Sequence, residues 1–472
     1  MTIITDKKLV INDKFEKAIS IAKGDPIGED TIEYKDWKKT GKKSPIYRIG
    51  IEYCRFRSEN GRIKTETLTH ATREKALNDL SAEDQEKIAG FLEKSDPAKN
   101  EELMKSLKST GQTEPAIITA DGFLINGNRR RWALGKLFET HKKDRESFKY
   151  INVIILPGHD ENGHELSDAP THIDIALLEN RLQMRRDGWS EYSVMNKVLS
   201  FRSYTDGTVE LDELLDDDPN FSELSEKDFK KAVKDWKTDN FGTLDLIDLY
   251  LESNGMKGDY KKIEHRWESF KELNQKIISK FDNKSFKTFL HNFGYSSDDK
   301  GAITQACFNL IKLKDPKVAN YKRHTDIIRE IKGWMEFKDD FLKLADIEDV
   351  GDGHKTAEDK DRVWQHKRAG EVSNLIKALT RLDKKQDLQD GPIDRLREAL
   401  KKFDHKHLDE DQIKRLINDN DIEEAMELCQ KIQTVSRDLH ATLFAAKKKH
   451  PKNLKKGTRS LADFKEANKD IN

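Results

Sequence analysis

Three successive arginines, Arg129, Arg130 and Arg131, follow the turn Asn126-Gly127-Asn128. Trp132, Ala133, Leu137 and Phe138 then recur at helical spacing, which puts the arginines in the first turn of a helix. A helix N-terminus already carries partial positive charge and ordinarily takes acidic side chains. Three cations there either face water or await an anion. Free backbone N–H groups together with guanidinium forks make a cradle for phosphate, and that is the chemistry this stretch supports.

The flanking residues supply the elements that would position it. Ala116–Thr119 is a short apolar run after Pro115, Asp121-Gly122 is a hairpin turn signal, and Phe123–Ile125 returns as a strand. Ile151–Leu156 is an almost unbroken apolar run, the pattern of a buried strand. Upstream, Ile46–Phe56 alternates as a strand and Arg62–Leu68 could return as its hairpin partner. Ser81 with Asp84 opens a helix to about Leu92, and 101–109 and 171–180 read as further helices. From about 189 strand signals all but vanish. Ser225 with Asp228 caps a helix, Thr238–Gly242 breaks it, and a second follows at 243–252. Residues 206–218 read as a solvated acidic loop, and more helices are expected near 300–312, 322–345, 358–385 and 392–403. Ala425, Leu428, Ile432, Val435 and Leu439 form a short heptad seam, which fits equally a bundle contact or a dimer contact.

The whole chain bounds these readings. Its 472 residues are 37% charged and 35% hydrophobic, and mean hydropathy is -0.85. The patterned apolar residues argue for folded helices with small cores rather than disorder. A net charge of -1 excludes nucleic-acid binding by global charge and leaves it to local patches. Cys54, Cys307 and Cys429 are far apart, with neither a disulfide framework nor zinc spacing, as suits a reducing cytoplasm. No stretch approaches the length of a membrane span. The expectation is a cytoplasmic protein, in the bacterial cytoplasm or nucleoid.

The segments Leu107 to Ile118 and Gly122 to Ala133, followed by the strand at 151–156 and by Leu178-Glu179-Asn180, resemble the N-terminal domain of ParB-like partition proteins, a fold shared with sulfiredoxin. The resemblance covers roughly 45–205. It implies an α+β N-terminal domain of that kind followed by a long, mostly α-helical region. The divisions expected are an extension at 1–44, the nucleotide-binding domain at 45–188, and a helical part with a candidate helix-turn-helix at 189–255. A helical domain at 256–385, C-terminal helices for dimerisation at 386–446 and a basic tail at 447–472 complete the chain.

The resemblance also implies a cytidine nucleotide site. Carried over, it sets Gly127, Asn128, Arg129 and Arg130 at the triphosphate, Gly111 and Gln112 near the base, and Glu179 and Asn180 at a magnesium ion, with Asn180 also at the nucleotide. Arginine forks suit phosphate oxygens, and a carboxylate with water and phosphate suits magnesium. Arg131 lies one residue past the usual pair and projects elsewhere. Asn128 stands where the family has a glutamate, which counts against a kinase and for binding over hydrolysis. The phosphate loop holds no cysteine, which excludes sulfiredoxin chemistry.

Charge is segregated. Residues 127–149 hold eight basic and three acidic residues, whereas 205–228 hold ten acids and one base. Arg185, Arg186 and the tail residues Lys447, Lys448 and Lys449 are the candidate DNA contacts. The expected function is a DNA-associated homodimer in which CTP, foremost among nucleotides, acts with magnesium as a conformational switch, with weak CTPase activity left open. The alternatives are a nucleotide-dependent phosphotransferase or nuclease on the same fold, and a helical scaffold from a mobile-element or defence system with a decayed site.

Overall fold

A computed structural model describes residues 26–32, 43–158 without 142 and 144, 170–184, 193–347 without 207, 208, 217, 219 and 222, 357–384, and separate positions between 426 and 445. Side-chain alternation organises its N-terminal part. On β3 (Ala116–Ile118) and β4 (Leu124–Asn126), Ala116, Ile118 and Leu124 enter one core, while Ile117 and Ile125 enter another on the opposite face. These strands belong to a mixed five-stranded sheet of order β1-β2-β5-β3-β4, with β1 at Gly28–Thr31, β2 at Lys43–Gly50 and β5 at Tyr150–Ile155. β5 runs antiparallel to β2 and parallel to β3, and β3–β4 is the expected hairpin with Gly122 at φ 88.

Among the described residues the first α-helix is α1 (Lys64–Arg73), where the sequence reads as a returning strand. The threonines at 65, 67 and 69 create that strand-like alternation. In the fold, consecutive residues Lys64, Thr65, Glu66 and Thr67 are all buried, so α1 is enclosed on several sides rather than two-faced. The hydroxyls of Thr65 and Thr67 are satisfied locally, by Glu66 at 2.7 Å and by the Lys64 carbonyl at 3.2 Å, whereas that of Thr69 accepts from Lys261 N at 3.2 Å. α2 (Ala82–Ser95) is capped by Ser81, as its sequence announces, and α3 (Pro97–Ser109) follows Asp96. With α4 (Asn128–Thr140) they cover one face of the sheet through Ile88, Leu92, Leu107, Trp132 and Leu137. α5 (His172–Met184) covers the other through Ile175 and Leu178.

The described remainder of the first unit is helical. α6 (Val194–Thr205) leads to the short α7 (Leu211–Leu215), which lies inside the expected solvated loop. Leu211, Leu214 and Leu215 are buried against Phe201 and Tyr204, and only the intervening acids face water. α8 (Glu226–Ser253) is one helix of 28 residues. The break expected at Thr238–Gly242 is not there, so the candidate helix-turn-helix lacks its turn. Two residues of α9 (Trp267–Lys276) clasp that stretch: Asn274 Nδ2 donates to the Thr238 carbonyl at 3.2 Å and Gln275 Nε2 to Asp239 at 2.6 Å. Gly242 leaves room for Asn274, whose Nδ2 would lie 3.1 Å from an added Cβ. The acids of the second half are also accounted for. Asp245 and Asp248 pair with Arg202 of α6 at 3.2 and 2.7 Å.

Around Phe270, Ile303, Ile331 and Trp334 the main helical core forms from α8, α9, α10 (Lys284–Asn292), α11 (Lys300–Lys312), α12 (His324–Trp334) and α13 (Lys338–Leu342), closed by α14 (Ala357–Lys367) and helical backbone at 369–384. Contacts divide the chain into two units, Met1–Lys384 and Lys385–Asn472. Position 189 is therefore interior to a unit. Thr65 N donates to Asn196 Oδ1 at 2.7 Å, and Lys261 reaches Glu66 at 2.7 Å and Arg73 reaches Asp259 at 2.6 Å. In the second unit only separate helical positions are described. The heptad residues, the helix expected at 392–403 and the basic tail lie outside the described residues.

Among the described residues no helix is long and apolar enough to cross a membrane. Cys54 and Cys307 are buried free thiols, and burial pushes both up to about 12. Both should stay unlabelled by a thiol reagent at pH 8 until the protein is unfolded, and fast labelling of either would show that its core opens. Gly242→Pro should cost about 3 kcal/mol or more, because proline removes a bond from a continuous helix. Urea unfolding measures it, and a cost below about 1 kcal/mol would restore the break.

Candidate functional site

Gly127 closes β4 and opens α4. Its φ of 92° and ψ of 9° are left-handed, and a Cβ there would sit 2.6 Å from the Ala116 Cβ. Glycine is the residue that satisfies both conditions. The turn starts α4 with no side-chain cap and no acid in its first turn. The first intrahelical bond comes from Arg131 N to the Gly127 carbonyl at 2.9 Å, so the N–H groups of Asn128, Arg129 and Arg130 precede the ladder. This is the geometry of an anion-binding helix start.

The three arginines diverge. Arg131 turns into the fold: its guanidinium lies 4.6 Å from the Phe56 ring centroid, and Nε donates to the carbonyls of Ile51 and Cys54, each at 3.2 Å. Arg130 is buried; Nη1 donates to the Glu114 carbonyl at 2.8 Å, and Nη2 lies 3.9 Å from the Glu114 carboxylate. Arg129 is only partly buried. Its Nε donates to Asn100 Oδ1 at 2.8 Å, while its buried Nη2 has no hydrogen-bond partner. Burial first, and then the like charge of Arg62, pulls Arg129 down to about 10. Asn128 Oδ1 is likewise buried without a partner.

Gly111, at φ 77, is the left-handed residue that ends α3. Gln112 continues the sheet with its side chain. Its Oε1 accepts from Asn152 N at 2.8 Å, and its Nε2 donates to the carbonyls of Asn152 and Glu114 at 2.7 and 2.8 Å. The Glu114 carbonyl thus joins Gln112 to Arg130. With its amide used this way, Gln112 braces the loop rather than offering polar atoms to a base.

Glu179 sits elsewhere in function. It is 2% exposed, takes Gly61 N–H at 3.0 Å on one oxygen and Arg57 Nη1 at 3.2 Å on the other. Burial opposes the charge of Arg57, but Glu179, Glu59 and Asp79 more than offset it and hold the guanidinium above its ordinary range. Tyr204 is buried beside Glu179; burial, then the Glu179 charge, pushes its phenol well up and keeps it a neutral donor. Asn180 donates from Nδ2 to the Leu214 carbonyl at 2.8 Å, which ties α5 to α7. The pair therefore does not fit a magnesium ion held by Glu179 and Asn180. The carboxylate already faces an N–H, a guanidinium and a phenol, and the burial leaves little space for the waters magnesium keeps. Among the described residues no group of three or more His, Cys, Asp or Glu side chains is placed to hold a metal.

Arg57, Arg62, Lys64 and Tyr204 are the residues that sequence reading missed. Arg57 and Arg62 bracket one loop, which links the Glu179 cluster to the Arg62–Arg129 pair. No periodicity marks that link, because Arg57 and Glu179 are 122 residues apart. Arg185, Arg186, Lys447, Lys448 and Lys449 lie outside the described residues. Comparison with family models, curated proteins and solved structures finds no match for this chain.

Two glycines give a graded test. Gly111→Ala, where an added Cβ meets open space, should cost about 1 kcal/mol for the left-handed conformation alone. Gly127→Ala should cost about 2 kcal/mol or more, because the Ala116 contact adds to it. Equal costs in urea unfolding would mean that the strand yields and that the loop is not tightly seated.

Proposed function

We propose that this is a ParB-like, DNA-associated protein whose N-terminal domain binds a nucleoside triphosphate, CTP foremost, at the start of α4. One observation carries the reading: α4 starts without a side-chain cap, and Arg129 in its first turn keeps a buried Nη2 without a hydrogen-bond partner. An anion there would complete the hydrogen bonding and use the first-turn N–H groups. The ordered motifs from Leu107 to Asn180 supply the nucleotide class, and the sheet covered by helices on both faces agrees with a domain of that kind.

The reading favours binding over turnover. Asn128 brings no carboxylate to the loop. DNA is the proposed second partner, on the strength of Arg185, Arg186 and the lysine-rich tail, and the heptad seam is the proposed homodimer contact.

Equilibrium dialysis of labelled CTP, ATP, GTP and UTP against the full chain tests this reading, with Arg129→Ala alongside. CTP should bind best. Removing the Arg129 fork should weaken it about tenfold to a hundredfold, the worth of one charge-assisted hydrogen bond of about 1.5–3 kcal/mol. No nucleotide bound by the wild type, or equal binding by both proteins, sinks the site.

A further inference from the structure

We infer that Arg57 is the built-in cation of this fold: it holds the Glu179 carboxylate that the resemblance gives to magnesium, so the site works without a protein-bound divalent metal. Three observations converge. The Arg57 side chain is 13% exposed and that of Glu179 2%, and they meet at 3.2 Å. Arg57 Nη2 also lies 3.4 Å from Glu59, so one guanidinium bridges two carboxylates as a bound dication would. The second oxygen of Glu179 takes Gly61 N–H at 3.0 Å, and Asn180 is turned to Leu214. Lys64 lies within the same electrostatic cluster as Arg57, Glu59 and Glu179, and its amine donates to Ser203 Oγ at 3.3 Å.

The Glu179 carboxylate thus already has its counter-charge in the Arg57 guanidinium and a hydrogen bond from Gly61 N–H. A dication pushed in beside Glu179 would meet the fixed charge of Arg57 and would have to shed its waters into a buried space. A guanidinium is also permanently charged, whereas metal occupancy varies with its concentration. The covalent attachment of the guanidinium fixes this segment to α5 in every molecule. Any magnesium that arrives with a triphosphate would be held by phosphate oxygens and water, not by this carboxylate.

The metal arm of the test needs no nucleotide. Manganese(II) binding to the full chain is followed by electron paramagnetic resonance, in the wild type and in Glu179→Gln. The two proteins should bind the same amount. One equivalent bound by the wild type and lost in Glu179→Gln overturns the inference. Should Glu179→Gln not fold, the wild type alone decides through its melting temperature: millimolar magnesium should leave it unmoved, and a rise of several degrees overturns the inference. The nucleotide arm rests on the function proposed above. Chelation of magnesium should change CTP affinity by the same factor in the wild type and in Glu179→Gln, and a loss of about tenfold or more confined to the wild type overturns the inference. Failure of CTP to bind under either condition defeats the nucleotide reading alone, and the manganese result still decides this one.

Discussion

A carboxylate buried as fully as Glu179 must find its counter-charge inside the protein, because ionised groups are not left unpaired in a dry interior. Much of the N-terminal architecture follows from that requirement. Arg57, beyond the end of β2, meets Glu179 on α5. Gly61 N–H adds a second tie to the same carboxylate. Removing one partner would leave the other charge buried and alone, which typically costs about 3–5 kcal/mol. The pair fixes geometry more than it adds net stability, because burying both charges is itself costly.

The three arginines of α4 are not equivalent. Each sits one residue from the next, but helical geometry turns successive side chains by about 100°. Arg131 lands on Phe56 and two carbonyls, Arg130 on the Glu114 carbonyl, and Arg129 on Asn100. Arg131 thus ties down the segment after β2 and Arg130 the segment before β3, while Arg129 keeps a buried Nη2 without a hydrogen-bond partner.

Local signals were legible in the sequence and distant ones were not. The Asp121-Gly122 hairpin, the cap at Ser81, the buried strand at 150–155 and the helix after Gly127 each announce themselves within a few residues, and the structure has all four. α1 was misread because its threonines alternate, and only packing against α6 and Lys261 makes it helical. Gly242 reads as a break because the clasp that keeps α8 continuous comes from Asn274 and Gln275, more than thirty residues on. Within the site, the glycines and arginines were visible as a motif. The environment of Glu179 was not, since Arg57 lies in what reads as an ordinary charged turn.

The enclosure of α1 has a consequence for how this chain can be divided. Its buried residues look toward Asn196 and Lys261. A fragment cut at 188 would strip α1 of those partners and expose the Thr65 N–H and the Glu66 carboxylate that they now satisfy. The sheet and the described helices up to 384 belong to one compact unit, so the start of α4 and the main helical core are parts of the same body.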